Sequence, residues 1–254
     1  MLSLEQLLGL IPAQYRIILA LGCLLGTVLA MVRGRRRGLS LPMMLDVALV
    51  AAVMGLLLGR AVYVGLNWSY FRSHLGEAVR IWHGGLSAPG VLVGAVVGVL
   101  ILCRWRRVDM RPILDALAPG AALISLAAWL ACLAAGCAWG IEVWPEQGLL
   151  WHLGVELPDL YGVLAPRLPV QVLGIAWSAG LLFVLLLIDR KWAPFPLWLT
   201  LHALGDFGLR FLRGDVTPVA GGMDPGQVVD LALALLGLTL WIAPVWRRDG
   251  DRVQ

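Results

Sequence analysis

Long stretches without a charged residue constrain the fold of this chain more than any other feature. No Asp, Glu, Lys or Arg occurs in residues 17–32, 81–103 or 116–141. A helix that crosses the hydrocarbon core of a bilayer needs about 20 predominantly apolar residues. The whole chain is 60% hydrophobic and 14% charged, whereas soluble domains are about half apolar and a quarter charged. We therefore predict an integral membrane protein and exclude a soluble enzyme and a disordered chain.

The charge-free stretches predict seven transmembrane helices in an all-α bundle, which we treat as a single polytopic membrane domain over residues 1–254. The predicted spans are residues 15–33, 44–66, 88–105, 113–138, 169–189, 194–213 and 227–246. Two loops between spans, residues 67–87 and 139–168, contain several tryptophans. Because tryptophan concentrates at membrane interfaces, we expect these loops to form interfacial arms. Residues 1–14 predict a short interfacial helix rather than a cleavable signal, with a frayed terminus as the alternative.

Basic residues are concentrated on one side of the predicted bundle. Thirteen of the 20 Lys and Arg residues follow the first, third, fifth and seventh spans. By the positive-inside rule this side faces the cytoplasm. The N-terminus and both arms are then on the outer face, and the C-terminus is cytoplasmic. The basic excess therefore reflects topology and does not indicate nucleic-acid binding.

The cysteines give no sign of a metal or redox site. Cys23, Cys103, Cys132 and Cys137 fall within or at the ends of predicted spans, and no CxxC pair or metal-ligand spacing occurs. We predict four small buried thiols. The sequence also has no phosphate-binding loop, dinucleotide fingerprint or HExxH motif, so we expect neither a cofactor nor a metal.

Ionisable residues within the predicted spans are functional candidates, because a charge at mid-bilayer costs roughly 3 kcal/mol or more. The sixth span carries a stripe of four, at spacings that place them on one side of a helix: His202, Asp206, Arg210 and Arg213. Asp206 can orient the imidazole, and arginine can bind a phosphate through two donors. The stripe is thus predicted to face a cavity for an anionic headgroup. A structural ion pair between Asp206 and Arg210, beside a satisfied histidine, is the alternative.

Arg60 is a further charge within a predicted span, with Tyr63 on the same face of the helix. It is either functional or extends to the outer interface. A glycine-rich segment, residues 83–87, precedes the third span, in which Gly90, Gly94 and Gly98 recur at a spacing of four. Small residues at this spacing either allow close helix packing or clear space for a lipid, and both interpretations stay open.

The order of several motifs resembles that of bacterial prolipoprotein diacylglyceryl transferases. Leu58-Gly59-Arg60 with Tyr63-Val64 resembles the family's second helix, and residues 82–90 (WHGGLSAPG) resemble its W-x-G-G-(L/M)-S-F-H-G segment. Three later parts of the chain also resemble family segments: residues 132–140 (CLAAGCAWG), Pro169 with Gln171, and residues 207–227. The matches run in family order from about residue 44 to residue 246.

This resemblance implies transfer of a diacylglyceryl group from phosphatidylglycerol to the thiol of a lipobox cysteine in a secreted prolipoprotein, at the bacterial plasma membrane. A thioether forms and glycerol phosphate leaves, with no cofactor. The thiol needs a base, for which His202 and His83 are the candidates, and Asp206 and Arg210 complete the candidate catalytic set. The candidate substrate-binding residues match family positions: Arg60, Tyr63, Gly84, Gly85, Gln171 and Arg213.

Other family positions carry a different residue in this chain. A family histidine falls at Pro89, two family arginines fall at Trp129 and Asp206, and family glutamates fall at Gly174 and Arg210. Two functions therefore stay open. The chain is a divergent active transferase whose arginines hold the phosphate, or a lipid- or lipopeptide-binding membrane protein without chemistry. A small transporter is disfavoured, because the sequence has no inverted repeat.

Overall fold

The computed structural model describes residues 13–81, 84–158, 162–188, 192–216 and 222–243. These residues include long helices at all seven predicted positions: α1 Ala13–Arg36, α2 Leu41–Leu66, α3 Ala88–Arg106, α4 Arg111–Ala135, α5 Val170–Leu187, α6 Pro194–Arg210 and α7 Pro225–Ile242. One-turn helices lie in the two loops predicted as arms: Trp68–Phe71, Leu75–Ala78, Pro145–Gln147 and Leu149–His152. The interfacial helix predicted for residues 1–14 lies almost wholly outside the described residues.

Six of the seven helices are long and apolar enough to cross a membrane. The remaining one is α6, which has 17 residues and carries the polar stripe. The chain is therefore a multi-pass membrane protein, and the prediction of an all-α integral membrane fold is confirmed.

Three of the long helices, α2, α3 and α7, begin with a polar cap followed within two residues by proline. The hydroxyl of Ser87 accepts a hydrogen bond from the backbone nitrogen of Gly90 (3.3 Å) at the start of α3. A carboxylate oxygen of Asp224 accepts one from Gly226 (3.0 Å) at the start of α7. Proline suits the first turn of a helix because its missing N–H would have no partner there. Pro89, at a position where the family has a histidine, thus helps to begin α3.

The chain divides into two compact units. One contains Ala30–Ala116, and in it α2 packs along α3. The other contains Gln14–Leu29 and the chain from Leu117 onward, and in it α6 packs against both α5 and α7.

The glycines of α3 bring this helix close to α2. A Cβ atom at Gly98 would lie 2.8 Å from the Cβ of Met54, and a Cβ at Gly94 would collide with the carbonyl oxygen of Met54. A Cβ at Gly90 would lie 3.1 Å from the Cα of Gly59. These glycines therefore serve helix packing, which is the first of the two interpretations left open by their spacing.

The loop between α4 and α5 folds around an antiparallel hairpin. Strand β1, Val155–Pro158, pairs with β2, Leu164–Arg167, and Val155 lies opposite Arg167. Apolar side chains in this loop, such as that of Trp144, expose more than half of their surface. Such exposure suits an interface with lipid, so the arm on the outer membrane face remains our interpretation of this segment.

Two of the four cysteines form a disulfide, which corrects the prediction of four buried thiols. Cys132 is bonded to Cys137, with 4.7 Å between their Cα atoms. The predicted fourth span included both, and in a continuous helix residues five apart point about 140° away from each other. The helix instead ends before Gly136, whose φ of 70° turns the chain back. Of the free cysteines, Cys103 is buried as predicted, whereas Cys23 is exposed.

Candidate functional site

The polar stripe of α6 places a histidine between an indole and a carboxylate. Nε2 of His202 lies 3.8 Å from Oδ2 of Asp206, one turn later. The indole of Trp198, one turn earlier, stacks on the imidazole with 5.2 Å between ring centroids and 7° between planes. Oδ1 of Asp206 and Nε1 of Trp198 are buried and have no hydrogen-bond partner among the described residues. The stripe therefore has unused hydrogen-bonding capacity on both sides of the imidazole.

The spacing along α6 suggests an ion pair between Arg210 and Asp206, but the structure does not form it. Nη1 of Arg210 donates to Oδ2 of Asp224 and its Nε donates to Oδ2 of Asp230, both at 2.7 Å. Both partners belong to the start of α7, where Asp224 is also the helix cap. The packing of α6 against α7 supplies these carboxylates, which the residue spacing within α6 cannot predict. Arg210 consequently joins the two helices.

The polar stripe that contains His202 has more carboxylates around it than a phosphate-binding site is expected to have. Asp206 lies beside His202, and two further carboxyl groups, those of Asp224 and Asp230, bind the guanidinium of Arg210 in the same stripe. An excess of carboxylates repels a phosphate. Within the described parts of the chain, no cluster of His, Cys, Asp and Glu side chains could hold a metal ion.

A second group of predicted residues meets at the segment that follows α4. Gln171 is only 2% exposed, and its Nε2 donates to the carbonyl oxygen of Cys137 (3.0 Å). Arg213 forms an isolated β-bridge with Gly140. Its guanidinium binds both carboxylate oxygens of Asp215, at 2.8 Å each. Gln171 and Arg213 are therefore held by neighbouring residues of one short segment.

Two replaced family positions contact each other in this chain. The resemblance described above places Trp129 at a family arginine and Gly174 at a family glutamate. The indole of Trp129 lies directly over Gly174, so closely that a Cβ at this glycine would collide with the ring. The large indole on α4 thus packs against α5 at a position where α5 has no side chain to obstruct it.

Arg60, near the end of α2, binds a cage of backbone carbonyls. Arg60 is only 7% exposed, so its side chain does not extend to the surface. All five N–H groups of its guanidinium donate to carbonyl oxygens, at 2.6–3.4 Å, of Glu77, Ala78, Arg80, Gly84 and Gly85. No carboxylate of the described residues pairs with it. Arg60 thus closes the loop between α2 and α3.

Aromatic rings complete the surroundings of Arg60. Its guanidinium carbon lies 5.5 Å from the ring centroid of Tyr63 and 5.3 Å from that of Phe71, within the range of a cation–π interaction. The Tyr63 ring packs against Gly85, which has a φ of 78°. In the same loop, the Tyr70 hydroxyl donates to Glu77 (2.8 Å), and this hydrogen bond to the carboxylate raises the pKa of Tyr70.

The structure thus brings the predicted residues together in separate groups. The first unit holds Arg60, Tyr63, Gly84 and Gly85 at one loop, and His83, the second candidate base, lies outside the described residues. The second unit holds the α6 stripe and the Gln171–Arg213 group. Sequence reasoning missed the two carboxylate partners of Arg210, the stacked Trp198 and the disulfide. A signal existed for Asp230, which is an acidic residue within a predicted span.

Comparison with known proteins gives a consistent result over most of the chain. The family model described as prolipoprotein diacylglyceryl transferase matches residues 6–243. The phosphatidylglycerol–prolipoprotein diacylglyceryl transferase of Geobacillus kaustophilus is 28% identical over 245 residues, which cover 90% of this chain and 86% of the relative. The enzyme of the same name from Clostridium novyi is 28% identical over 245 residues, or 93% of each chain.

A shorter match of higher sequence identity covers part of the chain. The transferase of Ligilactobacillus salivarius is 36% identical over 105 residues, which cover 41% of this chain and 39% of the relative. The longer matches extend over both compact units, and the family match includes every candidate site residue. The chain therefore belongs to the prolipoprotein diacylglyceryl transferase family.

Proposed function

We propose that this chain transfers a diacylglyceryl group from phosphatidylglycerol to a cysteine thiol of a prolipoprotein. The observation that carries the proposal is the family match over residues 6–243, together with relatives of that name that match along nine-tenths of the chain. The acceptor is a lipobox cysteine presented at the outer face of a bacterial plasma membrane. The N-terminus lies outside, in agreement with the distribution of basic residues.

In this proposal, His202 is the base that activates the acceptor. Its imidazole removes the thiol proton, and the neighbouring Asp206 stabilises the resulting imidazolium. The thiolate attacks the glycerol carbon that bears the phosphate, a carbon–sulfur bond forms and the carbon–oxygen bond breaks. The electron pair of the broken bond leaves with glycerol phosphate. The contact between His202 and Asp206 and the unused Oδ1 of Asp206 support this role.

The residues retained from the family act mainly by positioning in this proposal. Arg60, with Tyr63, Gly84 and Gly85, fixes the loop before α3. Arg213 and Gln171 hold the segment after α4 in place. Arg210, a member of the candidate catalytic set, fixes α7 against α6, the helix that carries His202.

One observation favours a second candidate function, binding of lipid or lipopeptide without transfer. The guanidinium groups of Arg60, Arg210 and Arg213 all have protein partners, which are carbonyls for the first and carboxylates for the other two. A site that must stabilise a departing phosphate usually keeps cationic donors for it. If none of these arginines exchanges its partner for phosphate, the chain binds lipid and does not turn it over.

Release of glycerol phosphate separates the two candidates. Purified protein is mixed with phosphatidylglycerol and a synthetic lipobox peptide, and glycerol phosphate is measured over time. We expect release that requires the peptide and that His202→Ala abolishes, while His152→Ala, at an exposed histidine, leaves it unchanged. Absence of release, with phosphatidylglycerol still bound after purification, contradicts the transferase proposal and supports the second candidate. Full activity of His202→Ala contradicts the assignment of the base.

A further inference from the structure

The segment from residue 137 to residue 141 connects three parts of the second unit through backbone hydrogen bonds. The nitrogen of Ile141 donates to the carbonyl of Leu212 (2.9 Å), and the nitrogen of Leu168 donates to the carbonyl of Ile141 (3.1 Å). The nitrogen of Gly214 donates to the carbonyl of Trp139 (2.8 Å). The segments before α5 and after α6 are therefore both attached to this one stretch of chain, which we call the junction.

The junction also holds the two residues of its group that match the family. Gln171, almost fully buried, donates to the carbonyl of Cys137, and Arg213 is bridged to Gly140. The other polar atom of that side chain, Oε1 of Gln171, is buried without a partner in the described part of the chain. The position of the amide therefore depends on the single hydrogen bond to Cys137.

The path of the junction is unfavourable without an additional constraint. Gly136, with a φ of 70°, adopts the left-handed conformation without strain, whereas Ala138, on the other side of Cys137, has a φ of 53°. A left-handed conformation is costly for a residue with a Cβ and persists where surrounding structure enforces it. The disulfide to Cys132 is such a constraint, since it ties the junction to the last turn of α4. Loss of this covalent bond would leave Cys137, to which Gln171 is hydrogen-bonded, attached to Cys132 by one backbone hydrogen bond, from the nitrogen of Cys137 to the carbonyl of Cys132 (3.1 Å).

We propose that the Cys132–Cys137 disulfide is a redox-dependent clamp that positions Gln171 and Arg213 for the transfer reaction. This inference rests on the proposed function. The clamp closes by thiol–disulfide exchange: the two thiols are oxidised to one disulfide, and an oxidising disulfide of the outer compartment is reduced to two thiols. Disulfides persist in oxidising compartments, and the predicted topology places this end of α4 on the outer face. The cysteines are positioning residues, because neither takes part in bond making or breaking during transfer.

Transfer kinetics of the full-length protein before and after reduction test the clamp. The kinetic constants are measured for the oxidised protein, for the protein reduced with a phosphine, and for Cys132→Ser/Cys137→Ser. We expect reduction or the double substitution to lower kcat/KM by about tenfold or more, since small displacements of positioning groups have effects of this size. The matched control, Cys23→Ser/Cys103→Ser, keeps the activity and the sensitivity to reduction. Equal kcat/KM for oxidised and reduced protein would overturn the proposal.

A second substitution distinguishes positioning from a general loss of stability. In Gln171→Ala the clamp has lost one of the two residues that it positions, so reduction should lower kcat/KM less than it does in the wild type. Effects of reduction and of Gln171→Ala that simply multiply would show that the disulfide acts independently of Gln171, which contradicts the proposed route.

Hydrogen exchange tests the clamp even if the protein proves to have no transfer activity. We expect reduction to increase amide exchange at residues 137–141, 168–171 and 212–214, while exchange in α2 and α3 stays the same. Unchanged exchange in the junction would overturn the clamp. Increased exchange in a protein without activity would support the clamp and refute only the proposed function.

Discussion

The carbonyl cage around Arg60 leads to a prediction that separates the charge of this residue from its geometry. Arg60→Lys keeps the positive charge but offers three N–H donors in place of five and lacks the planar fork. At least two of the five carbonyl contacts, at 2.6–3.4 Å, are therefore lost. Hydrogen bonds to a charged group contribute roughly 1.5–3 kcal/mol each, so we expect the free energy of unfolding to fall by about 3 kcal/mol or more.

The assay compares Arg60→Lys and Arg60→Met with the wild type. A loss of about 3 kcal/mol corresponds to an apparent Tm lower by roughly 6–12 °C for a chain of this size, measured by thermal denaturation in lipid nanodiscs. If the carbonyl contacts determine the role of Arg60, both variants lose stability and kcat/KM, and Arg60→Met loses more because it keeps none of the five contacts. Arg72→Lys, at an exposed arginine of the same loop, should match the wild type. An Arg60→Lys protein with wild-type Tm and activity, beside an inactive Arg60→Met protein, would refute the positioning role and assign the function to charge alone.

Further predictions concern packing and ion pairs within the second unit. Gly174→Ala should lower the apparent Tm by several degrees, because the added methyl collides with the Trp129 ring, whereas Gly180→Ala in the same helix has open space around it and should have little effect. Thermal denaturation of the two variants side by side checks this, and equal Tm values would contradict the packing. Asp230→Ala removes one of the two carboxylate partners of Arg210 and should cost about 2–3 kcal/mol, somewhat less than complete loss of a buried ion pair. Chemical denaturation measures the change, and an unchanged free energy of unfolding would show that Arg210 does not depend on this contact.

The helices of this chain could be predicted from sequence because the bilayer imposes their length and composition. Charge-free apolar stretches predicted all seven, with boundaries within four residues of those observed. The ends were less certain, because a helix end depends on local turn conformation rather than on hydrophobicity. That small error had a large consequence at α4, where the three residues predicted as helix after residue 135 are the turn that brings Cys132 and Cys137 together.

The candidate site could be predicted only as far as contacts within one helix determine it. The order of His202 and Asp206 along α6 follows from a spacing of four, and the structure keeps these side chains adjacent. The partners of Arg210 lie 14 and 20 residues away on another helix, so no periodicity within α6 could identify them. The same limit applies to Arg60, whose partners are backbone carbonyls of a loop and carry no signature in residue type.

The mass of a lipobox peptide after incubation tests the central claim most directly. The purified protein is incubated with phosphatidylglycerol and the peptide, and mass spectrometry locates any modification along the peptide. We expect a diacylglyceryl group attached through a thioether to the lipobox cysteine, and no modification of a peptide that has serine at this position. An unmodified cysteine peptide, under conditions in which the transferase of Geobacillus kaustophilus modifies it, would contradict the claim that this chain is an active diacylglyceryl transferase.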